Sequence, residues 1–201
     1  MSREDGSAWQ PIRTFFPLFE ALMAVEKPSN VLIVGASDGK FVLPLAAMGI
    51  KVTAVDVDGE ALLVGSRSLK TRAAERGLDS LITCRHEDIR DVYVGEFDAI
   101  WTSCSWHYSR NFDRPLSDFV DSLKKHTKPG GVLGAEYMAP IEIKHVMVEH
   151  YLEPGEVWGF IGPWERLWDA YTTVYREEVH PGQENPHVHR MGLAIARRPI
   201  D

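Results

Sequence analysis

The residues best suited to chemistry follow a short apolar run in the first quarter of the chain. Val31–Val34 leads directly into Gly35-Ala36-Ser37-Asp38-Gly39, and Asp56 ends the next apolar run. Glycines let the backbone turn sharply and approach a ligand where a Cβ would collide. A carboxylate at the end of the second run can accept hydrogen bonds from both hydroxyls of an adenosyl ribose. The pattern predicts a site for a nucleoside-containing ligand.

Two common nucleotide sites do not fit this turn. A dinucleotide fingerprint requires G-x-G-x-x-G, and a P-loop ends in Gly-Lys followed by Ser or Thr. The segment here has Gly35 and Gly39 with Ser37 between them, so it completes neither pattern. A nicotinamide-dependent oxidoreductase is therefore the least favoured interpretation.

The elements that must position these residues alternate between apolar runs and amphipathic segments. Such alternation is typical of βαβ units, with helices on both faces of a parallel sheet. We expect strands at Val31–Val34, Lys51–Asp56, Leu81–Cys84, Phe97–Thr102 and Val132–Tyr137. We expect helices at Ile12–Ala24, Phe41–Met48, Glu60–Arg76 and Leu116–Lys125.

The last third of the chain has a less regular pattern. It predicts helices at Ile143–Tyr151 and Trp164–Ala170, then strands at Thr172–Val179 and Val188–Arg197 that pair as a hairpin. The predicted fold class is α/β: a Rossmann-like three-layer sandwich on a mostly parallel seven-stranded sheet with a C-terminal antiparallel hairpin. We expect a single domain over residues 1–201, with a helical lead-in at 1–28 and a substrate-recognising lid at 140–170.

Six segments along most of the chain match the motifs of a known family. They read VLIVGASDGKF, LAAMGIKVTAVDVD, HEDIRD, FDAIWTSCSWHY, HTKPGGVLGAEY and HVHRMGLAIARRP. In these segments the chain resembles the class I S-adenosylmethionine-dependent methyltransferases, and within them the tellurite-resistance-protein-B-like small-molecule group. The resemblance implies S-adenosylmethionine as the cofactor and a small molecule as the methyl acceptor.

The resemblance also implies roles for individual residues. Asp56 would bind the ribose, Asp88 the adenine amino group, and Ile89 would pack on the adenine ring. The cofactor-binding set is Gly35, Ala36, Ser37, Gly39, Asp56, Val57, Asp88, Ile89 and Ser103. Two positions depart from the family pattern: Ile33 stands where many relatives carry an acid, and Ser37 replaces a middle glycine.

Methyl transfer from a sulfonium is an in-line displacement, which requires alignment and a base where the nucleophile carries a proton. His107 is the candidate base, because imidazole titrates near neutral pH, and Tyr108 is a second catalytic candidate. Trp106, Tyr137 and Trp158 are candidate substrate-binding residues. For each of these residues, capping or core packing is the structural alternative.

A metal site is not predicted. His187 and His189 would share one face of a strand, but no cysteine or carboxylate stands at a convincing ligand spacing. Two other functions stay open beside methyl transfer. The aminocarboxypropyl arm of the cofactor could be transferred or cyclised, or the chain could bind the cofactor without catalysis.

Composition limits the partners. The formal net charge is -7 at pH 7 and the basic residues are scattered, which disfavours nucleic acid. No apolar run approaches the about 20 residues that cross a bilayer, and two cysteines do not make a disulfide framework. We expect a cytoplasmic enzyme acting on a small molecule, without nucleic-acid or membrane partners; a homodimer is left open.

Overall fold

The computed structural model describes Ser7 and residues 14–110, 114–148, 151–179 and 184–200. For residues 108–110 and 147–148 it describes the backbone only. Predictions that concern Ile12, Arg13 or the side chain of Tyr108 lie outside these described residues.

A seven-stranded sheet forms the centre of the molecule, and a separate two-stranded sheet lies outside it. The strands are β1 (Asn30–Val34), β2 (Lys51–Asp56), β3 (Ile82–His86), β4 (Phe97–Ser103), β5 (Thr127–Met138), β6 (Glu165–Tyr171), β7 (Tyr175–Glu177), β8 (His187–His189) and β9 (Met191–Arg197). Their order in the large sheet is β3-β2-β1-β4-β5-β9-β6. The first five strands run parallel, and β9 runs antiparallel to both of its neighbours. The predicted α/β fold with a mostly parallel seven-stranded sheet is confirmed.

Helices cover both faces of the sheet, which explains why its central strands are almost wholly apolar. The helices are α1 (Phe16–Glu26), α2 (Val42–Ala47), α3 (Leu69–Glu75), α4 (Ser105–Arg110), α5 (Leu116–His126), α6 (Ile143–Val148) and α7 (Val157–Ile161). Val31 and Ile33 of β1 pack in a cluster with α1, α2 and α3. Leu32 and Val34 point the other way, into a cluster with α4, α5 and α7. This arrangement is a three-layer sandwich.

Helix α1 lies directly against β4 and β5. Phe16 and Phe19 contact the ring of Trp101, with ring centroids 5.4 and 4.9 Å apart. Gly134 makes room for this contact, since a Cβ there would lie 2.8 Å from the Phe19 ring and 2.7 Å from Trp101. Within the described residues the helix begins at Phe16, with Pro17 in its first turn, and continues to Glu26, two residues beyond its predicted end.

The single long helix predicted for Glu60–Arg76 is wrong. A short π-helical turn covers Glu60–Val64, Gly65 is extended, and α3 begins only at Leu69. The side chain of Ser68 accepts a hydrogen bond from the Thr71 N–H at 3.3 Å and so caps α3. Gly65 and Ser68 are the residues at which the predicted helix is interrupted.

The helix predicted for Trp164–Ala170 is also wrong, because this segment forms the edge strand β6 and pairs with β9. The predicted hairpin is present in a shorter form, whereas β9 joins the large sheet between β5 and β6. Of Thr172–Val179, only β7 is a strand, and it pairs with β8 in the two-stranded sheet. Helix-favouring residues such as Glu165 and Leu167 are overridden, because pairing along β9 satisfies backbone groups that an unpaired edge would expose.

The helices of the described residues include none that is long and apolar enough to cross a membrane.

Candidate cofactor and acceptor site

The carboxyl ends of four parallel strands place the predicted site residues at one edge of the sheet. Val34 is in register with Val55 on one side and with Thr102 on the other. Ser103 is in register with Glu136. The glycine turn after β1, the acid that ends β2 and the polar residues that end β4 and β5 consequently meet at this edge, where α/β sheets bind ligands.

The glycine turn has a left-handed backbone at three positions. The φ angles are +74° at Gly35, +44° at Ser37 and +89° at Gly39. The N–H groups of Gly35 and Ala36 both donate to the Val55 carbonyl, at 2.9 and 3.2 Å. The turn is therefore fastened to β2, the strand that carries the ribose-binding candidate.

Packing within the protein requires a glycine at position 35, in addition to any approach of a ligand. A Cβ at this position would lie 1.9 Å from the hydroxyl oxygen of Ser105, the first residue of α4. A side chain there would have to displace either the turn or the start of the helix, and the positive φ angle adds backbone strain.

We expect Gly35→Ala to lower the free energy of unfolding by about 2 kcal/mol, through backbone strain and overpacking against Ser105. Gly49→Ala is the matched control, because its φ is +84° and a Cβ would meet nothing within 4 Å. Its expected cost is strain alone, about 1 kcal/mol. Urea unfolding of the three proteins measures both effects, and equal costs would show that the Ser105 contact is unimportant.

Ser37 is accommodated despite its side chain. Its N–H donates to Asp56 Oδ2 at 2.6 Å, and this hydrogen bond stabilises the left-handed conformation. Asp56 Oδ1 accepts a second hydrogen bond, from the Asp58 N–H at 2.8 Å. The backbone N–H of Val57 also bonds to this carboxylate, whose remaining lone-pair capacity can accept a ligand hydroxyl.

The pKa of Asp56 is raised above its usual value, chiefly by burial and in smaller part by the charge of Asp58. The backbone hydrogen bonds oppose this shift without cancelling it. Val57 follows Asp56 with half of its apolar side chain exposed. A carboxylate beside an exposed apolar surface suits the ribose and the adenine face of an adenosyl group.

Asp88 is held by a residue that the sequence analysis missed. The Arg90 guanidinium donates to both of its carboxylate oxygens, from Nε at 2.9 and 3.1 Å and from Nη2 at 2.5 Å. These hydrogen bonds hold the pKa of Asp88 below its usual value. Ile89 is buried in the cluster of the second layer. The HEDIRD segment contained Arg90, but the resemblance implied roles only for Asp88 and Ile89.

A buried ion pair supports the glycine turn from below. Arg72 of α3 lies 3.3 Å from Asp38 Oδ1 and donates to the Asp38 carbonyl at 2.6 Å. The Ser7 hydroxyl donates to the same carboxylate at 2.9 Å. Both members of the pair are almost fully buried, so the turn is tied to α3 and to Ser7 by desolvated contacts.

The end of β4 carries a buried thiol. Cys104 has a φ of +59°, and its N–H donates to the Glu136 carbonyl at 2.7 Å. Burial, then the nearby Glu136 charge, raises the pKa of the thiol to about 12. The thiol is therefore protonated at neutral pH and is not a nucleophile. Ser103 precedes it, with its hydroxyl 3.9 Å from the sulfur.

Glu136 of β5 is the most unusual acid of this edge, and sequence reasoning missed it. Its side chain faces the α1 layer and is buried, and its Oε2 has no hydrogen-bond partner among the described residues. Burial raises its pKa to about 7, against the opposing influence of Lys40 and of hydrogen bonds from Phe15 and Thr14. The available signal was a single acid within the apolar run GVLGAEYM.

Comparison with known proteins assigns the family. A family model described as "Methyltransferase domain" matches residues 32–135, about half of the chain, which include most of β1, all of β2, β3 and β4, and most of β5. The chain belongs to this methyltransferase family. The resemblance to class I S-adenosylmethionine-dependent methyltransferases is confirmed, and with it S-adenosylmethionine as the cofactor.

Individual relatives are more distant. A polyamine aminopropyltransferase of Prochlorococcus marinus (strain MIT 9301) is 27% identical over 138 residues, which are 64% of this chain and 47% of that protein. TehB from Haemophilus influenzae superposes with a TM-score of 0.66 at 17% identity, over 89% of this chain and 60% of that one. The N-methyltransferase NodS from Bradyrhizobium japonicum WM9, in complex with S-adenosyl-L-homocysteine, superposes with a TM-score of 0.62 at 17% identity. The superposition covers 98% of this chain and 94% of that one. The chain thus spans about half the length of the curated relative that it matches.

The two predicted catalytic residues, His107 and Tyr108, lie on α4. The His107 N–H donates to the Cys104 carbonyl at 3.1 Å, and its half-buried ring meets the Tyr151 ring edge-on at 5.6 Å. Tyr151 in turn stacks on His145 at 4.6 Å. The side chain of Tyr108 lies outside the described residues. The catalytic roles of His107 and Tyr108 stay predictions.

The three substrate-binding candidates lie in packed surroundings. Trp106 stacks on Tyr137 at 5.6 Å, and the Tyr137 hydroxyl is 3.0 Å from that of Tyr171. Trp158 donates from Nε1 to Asp169 at 2.9 Å. Each is at most 4% exposed, so these residues shape the second layer, and direct contact with substrate stays a prediction.

Part of the segment 140–170, where we predicted a lid, belongs to the sheet and the core. Its end forms β6, which belongs to the sheet. Leu152, Val157 and Ile161 are buried in the second-layer cluster, so this part of the segment is core. Among the described residues of this segment, Ile143 of α6 is largely exposed, and the role of the segment as a lid stays a prediction.

No carboxylate stands at a convincing ligand spacing from His187 and His189 in the sequence, but the fold brings Glu177 next to both. Glu177 Oε2 is 3.0 Å from His189 Nε2 and 3.6 Å from His187 Nε2. The pairing of β7 with β8 brings the three side chains together, and sequence spacing alone does not reveal that pairing.

Proposed function

We propose that this chain transfers the methyl group of S-adenosylmethionine to a small-molecule acceptor. The proposal depends chiefly on one observation: the left-handed glycine turn is hydrogen-bonded to Asp56 at the carboxyl edge of the sheet. Both lie within the segment that matches the methyltransferase domain. Relatives of similar fold include a named N-methyltransferase in complex with S-adenosyl-L-homocysteine, which supports methyl transfer. The formal net charge of -7 supports an acceptor other than nucleic acid, and a cytoplasmic location is part of the same proposal.

The chain's residues would divide the work at the sheet edge. Asp56 would accept hydrogen bonds from the ribose hydroxyls, and Val57 would lie against the adenine ring. The bound cofactor supplies a methyl group activated by its positively charged sulfur. The protein must then hold the acceptor in line with that methyl group and take up a proton where the acceptor carries one.

Two groups are placed to take up that proton. Glu136 has a pKa near 7, where a base is both available and effective, and it is buried beside Cys104 at the end of β5. His107 lies on α4, directly after β4. Glu136 is our first choice, because Oε2 is buried and has no hydrogen-bond partner among the described residues.

Titration of S-adenosylmethionine followed by mass analysis of the products tests the function. We expect saturable binding, and S-adenosylhomocysteine once a small-molecule extract supplies an acceptor. Absence of binding would overturn the cofactor assignment. Binding of a cofactor that survives every extract unchanged would favour a binding module without catalysis.

A second candidate is transfer of the alkyl arm of the cofactor. The similarity to a polyamine aminopropyltransferase over 64% of the chain favours it. The same mass analysis separates the two reactions, because methyl transfer leaves S-adenosylhomocysteine and aminocarboxypropyl transfer leaves methylthioadenosine.

A further inference from the structure

The hairpin of β7 and β8 presents two different faces. Arg176 pairs with Val188, and both side chains are exposed to solvent. The opposite face carries Tyr175, Glu177, His187 and His189, since side chains alternate along a strand. This inward face has no aliphatic residue and consists mainly of side chains that bind metal ions.

The inward face is turned toward Glu136, near the carboxyl end of β5. The side chain of Thr14 makes hydrogen bonds with both Glu136 and Tyr175. The charge of Glu177 also reaches the Cys104 thiol, where it adds to the larger effects of burial and of Glu136 in raising the pKa. The hairpin therefore lies beside the region of the site where we place the acceptor.

The geometry of three side chains fits a metal ion. Glu177, His187 and His189 offer ligand atoms that all lie within 4.8 Å of one another. Ligands bonded to an ion at about 2.1 Å lie about 3.0–3.4 Å apart in octahedral or tetrahedral sites. Of the distances from Glu177 Oε2 to the two imidazoles, 3.0 Å lies within this range and 3.6 Å lies slightly above it.

Burial and donor type select the class of ion. The three side chains are only 18%, 19% and 10% exposed, so the cluster is sheltered without being sealed. Two imidazoles and one carboxylate suit divalent transition metals such as zinc or iron(II), whereas magnesium and calcium prefer oxygen ligands. Three protein ligands leave at least one coordination position for water or substrate.

We propose that Glu177, His187 and His189 bind a divalent transition-metal ion whose open position faces the acceptor. The ion would hold an oxygen, nitrogen or sulfur atom of the acceptor next to Glu136. The role toward the acceptor rests on the proposed function, whereas binding of the ion does not.

Titration of the metal-free protein with Zn²⁺ and Co²⁺, without S-adenosylmethionine, tests the site. We expect one ion per chain and a visible Co²⁺ spectrum of nitrogen and oxygen ligands. His187→Ala, His189→Ala and Glu177→Gln should each weaken binding at least tenfold. Glu178→Gln, on the exposed face of the same hairpin, should leave binding unchanged. No binding, or equal binding by all variants, would overturn the proposal.

Azide tests whether a coordination position is open. We expect it to shift the Co²⁺ bands, and an unchanged spectrum would overturn the open position.

Thermal unfolding of each variant with and without Zn²⁺ controls for misfolding, because the ion should raise the unfolding midpoint only where the ligands are intact. S-adenosylmethionine binding is measured separately on the same proteins. If the protein binds S-adenosylmethionine and no metal ion, only this inference is overturned. If it binds the metal ion and no S-adenosylmethionine, only the proposed function is overturned.

Discussion

Replacement of Asp56 by alanine should weaken S-adenosylmethionine binding by about a hundredfold or more. Hydrogen bonds to a charged partner contribute about 1.5–3 kcal/mol each, and both ribose hydroxyls would lose theirs. The substitution also removes the acceptor for the Ser37 N–H, which holds the glycine turn in its left-handed form. Isothermal titration of the wild type and the variant measures the loss directly.

Two further variants make the Asp56 result specific. Asp56→Asn keeps an acceptor for the Ser37 N–H but loses the charge, so its affinity should fall between those of the wild type and the alanine variant. Asp58→Ala is the matched control, because that exposed side chain accepts hydrogen bonds from the N–H groups of Glu60 and Ala61, which lie outside the glycine turn. We expect a change of less than about threefold for it. Equal losses in Asp56→Ala and Asp58→Ala would point to distortion of the loop and contradict ribose binding by Asp56.

The first half of the fold could be predicted because its signals are local. The strand predicted at Lys51–Asp56 has the bounds observed for β2, and Val31–Val34 differs from β1 by one residue. Both are β-branched or apolar runs that end at a glycine or an acid, so nearby residues alone identify them. The ribose-binding candidate and the glycine turn were found for the same reason.

The last third could not be predicted in this way, because long-range pairing decides its structure. The segment that forms β6 contains Glu165, Arg166 and Leu167, which favour helix in isolation. It becomes a strand because β9 offers an unpaired edge. Likewise, Glu177 meets His187 only through the register of a hairpin whose partners lie ten positions apart in the sequence.

Glu136 was missed for a different physical reason. A lone acid at the end of an apolar strand has no periodicity and no partner at a fixed spacing, so sequence gives it no role. Its properties come from burial under α1 and from Thr14, Phe15 and Lys40, which reach it from the N-terminal segment and the glycine turn. A pKa shift that depends on burial can therefore be recognised only from the folded structure.

Glu136→Gln should stabilise the protein at pH 8 by about 3 kcal/mol and leave its stability at pH 4.5 nearly unchanged. Burial raises the pKa of Glu136 from 4.5 to about 7. Below pH 4.5 the carboxyl is protonated in both the folded and the unfolded chain, so its burial carries no charge penalty. Between pH 4.5 and 7 the unfolded chain releases a proton that the folded chain keeps, and stability falls by about 1.4 kcal/mol per pH unit.

Urea unfolding at pH 4.5, 6, 7 and 8 measures this difference. Glutamine keeps the shape and the hydrogen-bonding oxygen of the side chain, so the wild type and variant should differ only where the wild-type carboxyl is charged. Glu75→Gln, at an exposed position on α3, is the control and should show no pH-dependent difference. Parallel stability curves for the wild type and Glu136→Gln would contradict the raised pKa.

The same variant also tests why the protein tolerates so costly an acid. If Glu136 accepts the acceptor's proton, Glu136→Gln should be more stable at pH 8 and at least about a hundredfold slower, because proton transfer contributes about 10²–10⁴-fold to rate. S-adenosylmethionine should still bind, since the ribose and adenine contacts are on other strands. A stable variant with full activity would leave His107 as the base. A stable variant that binds the cofactor and no longer turns over would show that stability is given up at Glu136 for catalysis.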